Sequence, residues 1–173
     1  MAGLAGCSAL ERDLWRSEYG IGHGSKIILH VPLTIGAHDH QAFIQGGEVK
    51  KDRIFSFSPG YDEYYPFCYF EIYTPSNQSQ TILPGEFEIT RVTAGETEIV
   101  QLRSTRVASS GDSEGGPSSI VELLIMELQS DSQKNVEQLV CADGFADPGD
   151  VVMPTLGQIR ETLGQVATLE LVQ

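Results

Sequence analysis

The chain has 173 residues, of which 40% are hydrophobic and 8% aromatic, so it can form one domain with its own core and is not intrinsically disordered by composition. No stretch approaches the ~20 consecutive apolar residues of a membrane-spanning helix. Eleven basic and 24 acidic residues give a formal net charge of -13, which argues against nucleic acid as a partner because phosphates would be repelled.

The first motif along the chain is Leu4-Ala5-Gly6-Cys7, which is typical of a bacterial lipobox. In a lipobox an apolar residue and two small residues precede a cysteine that is diacylated and becomes the mature N-terminus. A basic region and an apolar stretch of ~7–15 residues normally come before it. Neither stands before Leu4, so we expect a longer precursor from which the leader is missing. The alternative is a chance match in a terminus rich in small residues. The motif predicts Cys7 as the lipidation site, and Ser8, in place of Asp, favours sorting to the outer membrane.

Residues 1–24 are expected to be a lipobox remnant and a tether, because glycines at 20, 22 and 24 interrupt any regular structure. Residues 25–173 are expected to form a single β-rich domain. Its first predicted strands are rich in β-branched and aromatic residues and end at Gly or Pro. They are Lys26–Ile35, with Pro32 at an edge or bulge, then Gln41–Gln45 and Arg53–Ser58.

Tyr64–Tyr73 is the strongest predicted strand. Period-two geometry places Cys68, Phe70 and Ile72 on one face, and on the other Tyr65, Phe67, Tyr69, Glu71 and Tyr73. Because both faces are largely apolar, we expect this strand to lie in the centre of a sheet.

The second half of the chain continues the strand pattern. Glu86–Thr93 alternates, which places Arg91 on the face of Phe87 and Ile89. Residues 97–107 continue in the same style, and the Ser- and Gly-rich residues near 108–119 predict a flexible loop. The remaining predicted strands are Ile120–Leu128, Val136–Ala142 and Val166–Val172.

One helix is predicted, and it begins after Thr155. Thr155 and Gln158 have the spacing of a capping box, and Gly164 supplies a stop. The whole pattern predicts a mainly β fold: an antiparallel sandwich or a barrel-like meander with one short C-terminal helix.

Apart from Cys7, the chain has two cysteines, Cys68 and Cys141. In an exported protein an even pair favours a disulfide, and the alternative is two buried free thiols. A catalytic thiol is disfavoured because no His-bearing motif flanks either residue.

These features together resemble a group of small β-rich proteobacterial lipoproteins without an established function. The resemblance rests on the lipobox and on motifs that cover most of residues 25–172: Tyr65-Pro66-Phe67-Cys68, Gly85–Val92, Cys141, and Pro154–Arg160 leading to Gly164. It implies a fold and a location on the periplasmic side of the cell envelope, and no activity.

Two groups of residues are candidate sites. His38-Asp39-His40 is the densest set of potential metal ligands, although we favour a solvent-facing polar loop for these residues. Tyr61, Asp62, Glu63 and Tyr64 stand where the strongest strand begins and form a candidate contact surface.

The acidic residues Asp143, Asp147 and Asp150 lack the spacing of a calcium-binding loop and are expected to form a solvated turn. No nucleophile elbow, phosphate-binding loop or zinc-protease motif is present in the sequence. We therefore expect no cofactor and no catalytic residues, and a lipid-anchored envelope protein with a structural or interaction role toward an envelope protein or glycan. The alternatives are an exported carbohydrate-binding protein or a hydrolase that uses Asp62 and Glu63, and a periplasmic metal-binding protein.

Overall fold

The structure, a computed structural model, describes residues 19–50, 60–99 and 119–172. Several predictions fall outside these residues: the lipidation site Cys7, the strand Arg53–Ser58, the part of the 97–107 strand beyond Ile99, and the loop near 108–118. Among the described residues, no helix is long and apolar enough to cross a membrane.

Eight strands form one antiparallel sheet that curls into a half-barrel, and two further strands pair separately. In chain order the elements are β1 Lys26–Leu29, β2 Leu33–Ile35, β3 Gln41–Gln45, β4 Glu48–Lys50, β5 Phe67–Ile72, β6 Gln80–Ile82, β7 Gly85–Ile99, β8 Ser119–Gln129, β9 Val136–Ala142, α1 Leu156–Leu163 and β10 Ala167–Glu170. The large sheet has the order β10-β1-β7-β8-β9-β5-β3-β4, and β2 pairs with β6.

The predicted fold class is confirmed: the fold is mainly β and antiparallel, with one short C-terminal helix. The strand β5 lies inside the sheet, between β9 and β3, as its two apolar faces predict. In the large sheet, strands that follow one another in the chain pair in the β7-β8-β9 meander and in the β3-β4 hairpin. The other pairs join distant segments; for example, β1 lies between β7 and β10.

Two local predictions need correction. The predicted strand Lys26–Ile35 is two strands in different sheets, because Pro32 cannot donate a backbone hydrogen bond and the chain leaves the large sheet there. In β7 a register shift between Ile89 and Arg91 resets the alternation, as a β-bulge does. Val92 is therefore buried beside Ile89, whereas Arg91 is exposed and lies near Glu127.

One face of the sheet carries the main core. It is formed by the β5 face that carries Cys68, Phe70 and Ile72, together with apolar side chains of the neighbouring strands and of α1. These include Phe87, Ile89, Leu124, Met126, Leu139, Ile159 and Leu163. Ile21, which the predicted tether includes, is fully buried in this core. The domain thus begins before residue 25.

The helix α1 covers one end of this core. Its N-terminus is the predicted capping box: Thr155 Oγ1 accepts from Gln158 N, and Thr155 N donates to Gln158 Oε1 at 2.9 Å. At its C-terminus Gly164 has a positive φ of 48° and lies against Gly47, in the turn between β3 and β4. Gly47 N donates to Thr162 O at 2.9 Å, which fixes the helix to this turn.

Candidate functional site

The opposite face of β5 carries a second, smaller core of aromatic side chains. We call Phe43, Tyr61, Phe67 and Tyr69 the aromatic cluster. Tyr61 stacks on Phe43 with ring centroids 4.2 Å apart, and its ring lies 4.8 Å from that of Phe67. Burial, followed by the nearby Glu71 carboxylate, raises the pKa of Tyr69 well above its ordinary value. Tyr69 therefore stays protonated even at an alkaline pH at which an exposed tyrosine would ionise.

Residues 60–66, which we call the site loop, lead into β5 from this cluster. Gln45, at the end of β3, holds the loop through both ends of its side-chain amide. Its Oε1 accepts from Asp62 N at 2.8 Å, and its Nε2 donates to Asp62 O at 2.7 Å, with longer contacts to the carbonyls of Tyr65 and Pro66. These bonds satisfy backbone groups that no sheet partner takes up.

A second support comes from the segment that follows β9. Phe145 N donates to Glu63 O at 2.8 Å. Gly144, with a φ of 121°, packs so closely that a Cβ there would lie 2.8 Å from the carbonyl carbon and oxygen of Tyr64. Only glycine combines this backbone conformation with this close approach.

The site loop, the turn after β3 and α1 enclose a groove of about 320 Å³. We call it the loop–helix groove, and its lining residues are Gln45, Gly46, Tyr65, Pro66, Gln158, Glu161 and Thr162. Tyr65 is 64% exposed, whereas Thr162 is only 4% exposed. The volume lies at the small end of the range for ligand sites in proteins.

The two glutamines of the groove are engaged in the fold. Gln158 Nε2 donates to Asp143 Oδ1, and Gln158 Oε1 accepts from Thr155. Gln45 is used entirely by the site loop. Burial raises the pKa of Asp143 above its ordinary value, so this carboxylate is less easily ionised than an exposed one.

Two other groups of the groove make no such bonds. Glu161 is exposed and has no ion-pair partner among the described residues. The hydroxyl of Thr162 forms no hydrogen bond with the described part of the chain. Every fully buried side-chain nitrogen or oxygen of the described residues has a hydrogen-bond partner. The Thr162 hydroxyl has none, so it is not fully buried, and Thr162 is one of the residues that line the groove.

The four predicted contact residues all lie in the site loop, but they are not equivalent. Tyr61 is half-buried in the aromatic cluster, and Tyr64 is 53% exposed. The carboxylate of Asp62 accepts from Tyr64 N at 3.0 Å, which stabilises the turn, and Glu63 is half-buried. Tyr61 thus packs within the fold, while about half of the Tyr64 surface is exposed.

The residues His38, Asp39 and His40 form the loop between β2 and β3. His38 has a positive φ of 69°, and its N–H donates to Ser76 O. His40 Nε2 lies 3.3 Å from Glu71 Oε1, on the neighbouring strand. In residues 19–50, 60–99 and 119–172 no group of three or more His, Cys, Asp or Glu is placed so that it could hold a metal ion.

Cys68 and Cys141 are directly opposed on β5 and β9 and form a disulfide. Both are almost completely buried in the main core. The bond joins residues 73 apart in the sequence, so it links the early central strand to the late one, as the sequence predicts.

The sequence did not predict the groove. Asp143 is half-buried and bonded to Gln158, unlike the solvated turn expected of it, whereas Asp147 and Asp150 are exposed. The one local signal for the other groove residues is the polar Gln158, Glu161 and Thr162 on a helix whose apolar face is Ile159 and Leu163.

No family model matches the chain, and no curated protein or solved structure is detectably similar to it. The resemblance to a lipoprotein family therefore stays a prediction from the motifs, and the function must be argued from the residues.

Proposed function

We propose that this protein is a lipid-anchored protein of the bacterial cell envelope, on its periplasmic side, with a non-enzymatic structural or interaction role. The observation that carries the proposal is the disulfide between Cys68 and Cys141. Disulfides persist in oxidising compartments and are rare in the cytosol. Export to the periplasm accounts for this bond in a β domain.

The disulfide also separates the roles of the three cysteines. With Cys68 and Cys141 paired, Cys7 is the remaining cysteine of the sequence, and it stands in the lipobox-like Leu4–Cys7 motif. Acylation of this residue would supply the membrane affinity. Ser8 favours the outer membrane as the destination.

An interaction role suits the site loop and the groove better than hydrolysis does. A glycoside hydrolase of the common type needs two carboxylates on either side of the scissile bond. The Asp62 carboxylate instead stabilises its own turn. The exposed Tyr64 and Tyr65 offer contact area with little loss of conformational entropy, which favours binding.

The test is intact mass spectrometry of the protein produced from its full-length gene in its own host, with and without reduction and alkylation. We expect a mature chain that begins at an acylated Cys7, and Cys68 and Cys141 that react only after reduction. Cys7→Ser is the matched control and should abolish the acyl mass but leave the disulfide. An unacylated chain with three free thiols would refute the proposal.

Sorting is tested in the same host by separating inner and outer membranes. The protein should be found in the outer membrane, and Ser8→Asp should retain it in the inner one. An equal distribution of the two proteins would contradict the assignment to the outer membrane.

A further inference from the structure

The loop–helix groove has an unusual balance of hydrogen-bonding groups. The side-chain amide N–H groups of Gln45 are committed to carbonyls of the site loop, and one N–H of Gln158 donates to Asp143. The remaining side-chain donors are the second N–H of Gln158 and the hydroxyls of Thr162 and Tyr65, and each hydroxyl is also an acceptor. The Glu161 carboxylate only accepts, so the groove has few free side-chain donors and one strong acceptor.

The charge of the groove also favours a ligand that donates hydrogen bonds and carries positive charge. Glu161 is its one charged lining residue, and none of the seven lining residues is basic. Arg160, its neighbour in the last turn of α1, is not part of the lining. With a net charge of -13 on the whole chain, an anionic ligand would be repelled and a cationic one attracted.

The hydroxyl of Thr162 is a second polar group of the groove. The residue is only 4% exposed, yet its hydroxyl is not fully buried and has no partner among the described residues. A hydroxyl normally has a hydrogen-bond partner, so here the partner is whatever occupies the groove, either water or a polar ligand that replaces it. The exposed ring of Tyr65, on the other wall, presents the aromatic surface on which a cation binds.

We propose that the loop–helix groove binds an alkylguanidinium or alkylammonium group. Its N–H groups donate to the Glu161 carboxylate and to the Thr162 hydroxyl, while its face or alkyl part packs on Tyr65. The inference specifies the ligand class of the interaction role proposed above and rests on that role, but it does not depend on acylation of Cys7.

A neutral saccharide suits the same groove less well. Sugar hydroxyls both donate and accept, so sugar sites usually offer donors as well as acceptors, and here the amide of Gln45 and one N–H of Gln158 are already used. Glycan binding is therefore a competing outcome of the test.

The experiment is an NMR titration of the purified, ¹⁵N-labelled chain with Nα-acetyl-arginine amide. The neutral isostere Nα-acetyl-citrulline amide and maltose serve as comparison ligands. We expect saturable shifts of the amide signals of residues 46, 65, 161 and 162 with the arginine derivative, and at least tenfold weaker binding of both comparison ligands.

Three variants assign the binding to named groups. Glu161→Gln should raise the Kd at least tenfold, and Thr162→Val and Tyr65→Ala should each raise it several-fold. Glu170→Gln removes the same charge from an exposed position on β10, outside the groove, and should leave the Kd within twofold. Thr162→Val tests the hydroxyl alone, because it keeps the shape of the side chain.

Three results would overturn the proposal: equal binding of the citrulline derivative or of maltose, shifts spread over the surface without saturation, or equal effects of Glu161→Gln and Glu170→Gln. The source of the cation is distinguished by comparing n-butylguanidinium with the capped peptide Gly-Gly-Arg-Gly-Gly. Tighter binding of the peptide supports a protein side chain, and tighter binding of the small cation supports a free metabolite. Since the chain used is not acylated, failure here and failure of the lipidation test are separate results.

Discussion

Replacing Gly144 by alanine tests whether the site loop depends on close packing against the segment after β9. The new side chain would be strained at a φ of 121°, which costs about 1–2 kcal/mol. It would also lie 2.8 Å from the backbone of Tyr64. The loop can move away only by weakening its bonds to Gln45 and Phe145, each worth about 1 kcal/mol. We expect Gly144→Ala to lower the free energy of unfolding by about 3–5 kcal/mol in urea denaturation.

Two glycines provide matched controls. Gly46 also has a positive φ, of 59°, but a Cβ there would meet nothing within 4 Å, so Gly46→Ala should cost only about 1–2 kcal/mol. Gly149 has open space and no positive φ, and its replacement by alanine should change stability by less than about 0.5 kcal/mol. If Gly144→Ala were no more destabilising than Gly46→Ala, the close approach to Tyr64 would have no energetic role.

Three further predictions concern the hydrogen bonds of Gln45 to the site loop, which we call the Gln45 clamp, the half-buried carboxylate of Asp143, and the disulfide. Gln45→Ala should lower the free energy of unfolding by about 2–4 kcal/mol in urea, because the site loop loses its hydrogen bonds to this side chain. The control Gln41→Ala, on the same strand, should lower it by about 1 kcal/mol or less. Equal losses would show that the Gln45 clamp does not stabilise the fold. Because burial raises the pKa of Asp143 in the folded state, ionising it opposes folding, so stability should rise as pH falls from above the folded pKa toward 3.8. Asp143→Asn should be more stable than the natural chain at pH values above the folded-state pKa of Asp143, and the difference in stability should shrink as the pH falls toward 3.8. Thermal unfolding at several pH values measures this difference, and a difference that does not depend on pH would contradict the prediction. Replacing Cys68 and Cys141 together by alanine should lower the free energy of unfolding by about 4 kcal/mol, since the disulfide closes a long loop. In the natural chain the buried disulfide should resist reductant until urea unfolds the protein. Rapid reduction of the native protein would contradict this burial.

The parts of the fold that the sequence predicted well are those that depend on local chemistry. The two apolar faces of β5 indicate a strand with neighbours on both sides, and the structure has cores on both. Thr155 and Gln158 are close in sequence and form their capping box without help from the rest of the chain. The disulfide was predictable because only two cysteines remained once Cys7 was set aside.

The errors arise where a distant strand decides the local conformation. The bulge after Ile89 is visible only through its pairing with β8, so a strict alternation placed Arg91 on the wrong face. The burial of Ile21 depends on β7, since Gly24 N donates to Ile89 O and Ile89 N to Ser25 O. No local pattern within residues 8–24 contains that information.

The loop–helix groove could not be predicted from the sequence for a related reason, and the same reason explains which hydrogen-bonding groups line it. Gln45, Tyr65 and Glu161 are far apart in sequence, and they meet because α1 is fixed to the turn after β3 through Gly47 and Gly164. The side chain that holds the site loop in place is the same one that could have donated hydrogen bonds to a ligand. Structural use of Gln45 and of one N–H of Gln158 thus removes donors from the groove, while the Glu161 carboxylate remains in its lining as an acceptor. The selectivity for a cation would then be a consequence of how the fold closes, and loss of the Gln45 clamp should weaken cation binding even though Gln45 need not contact the cation.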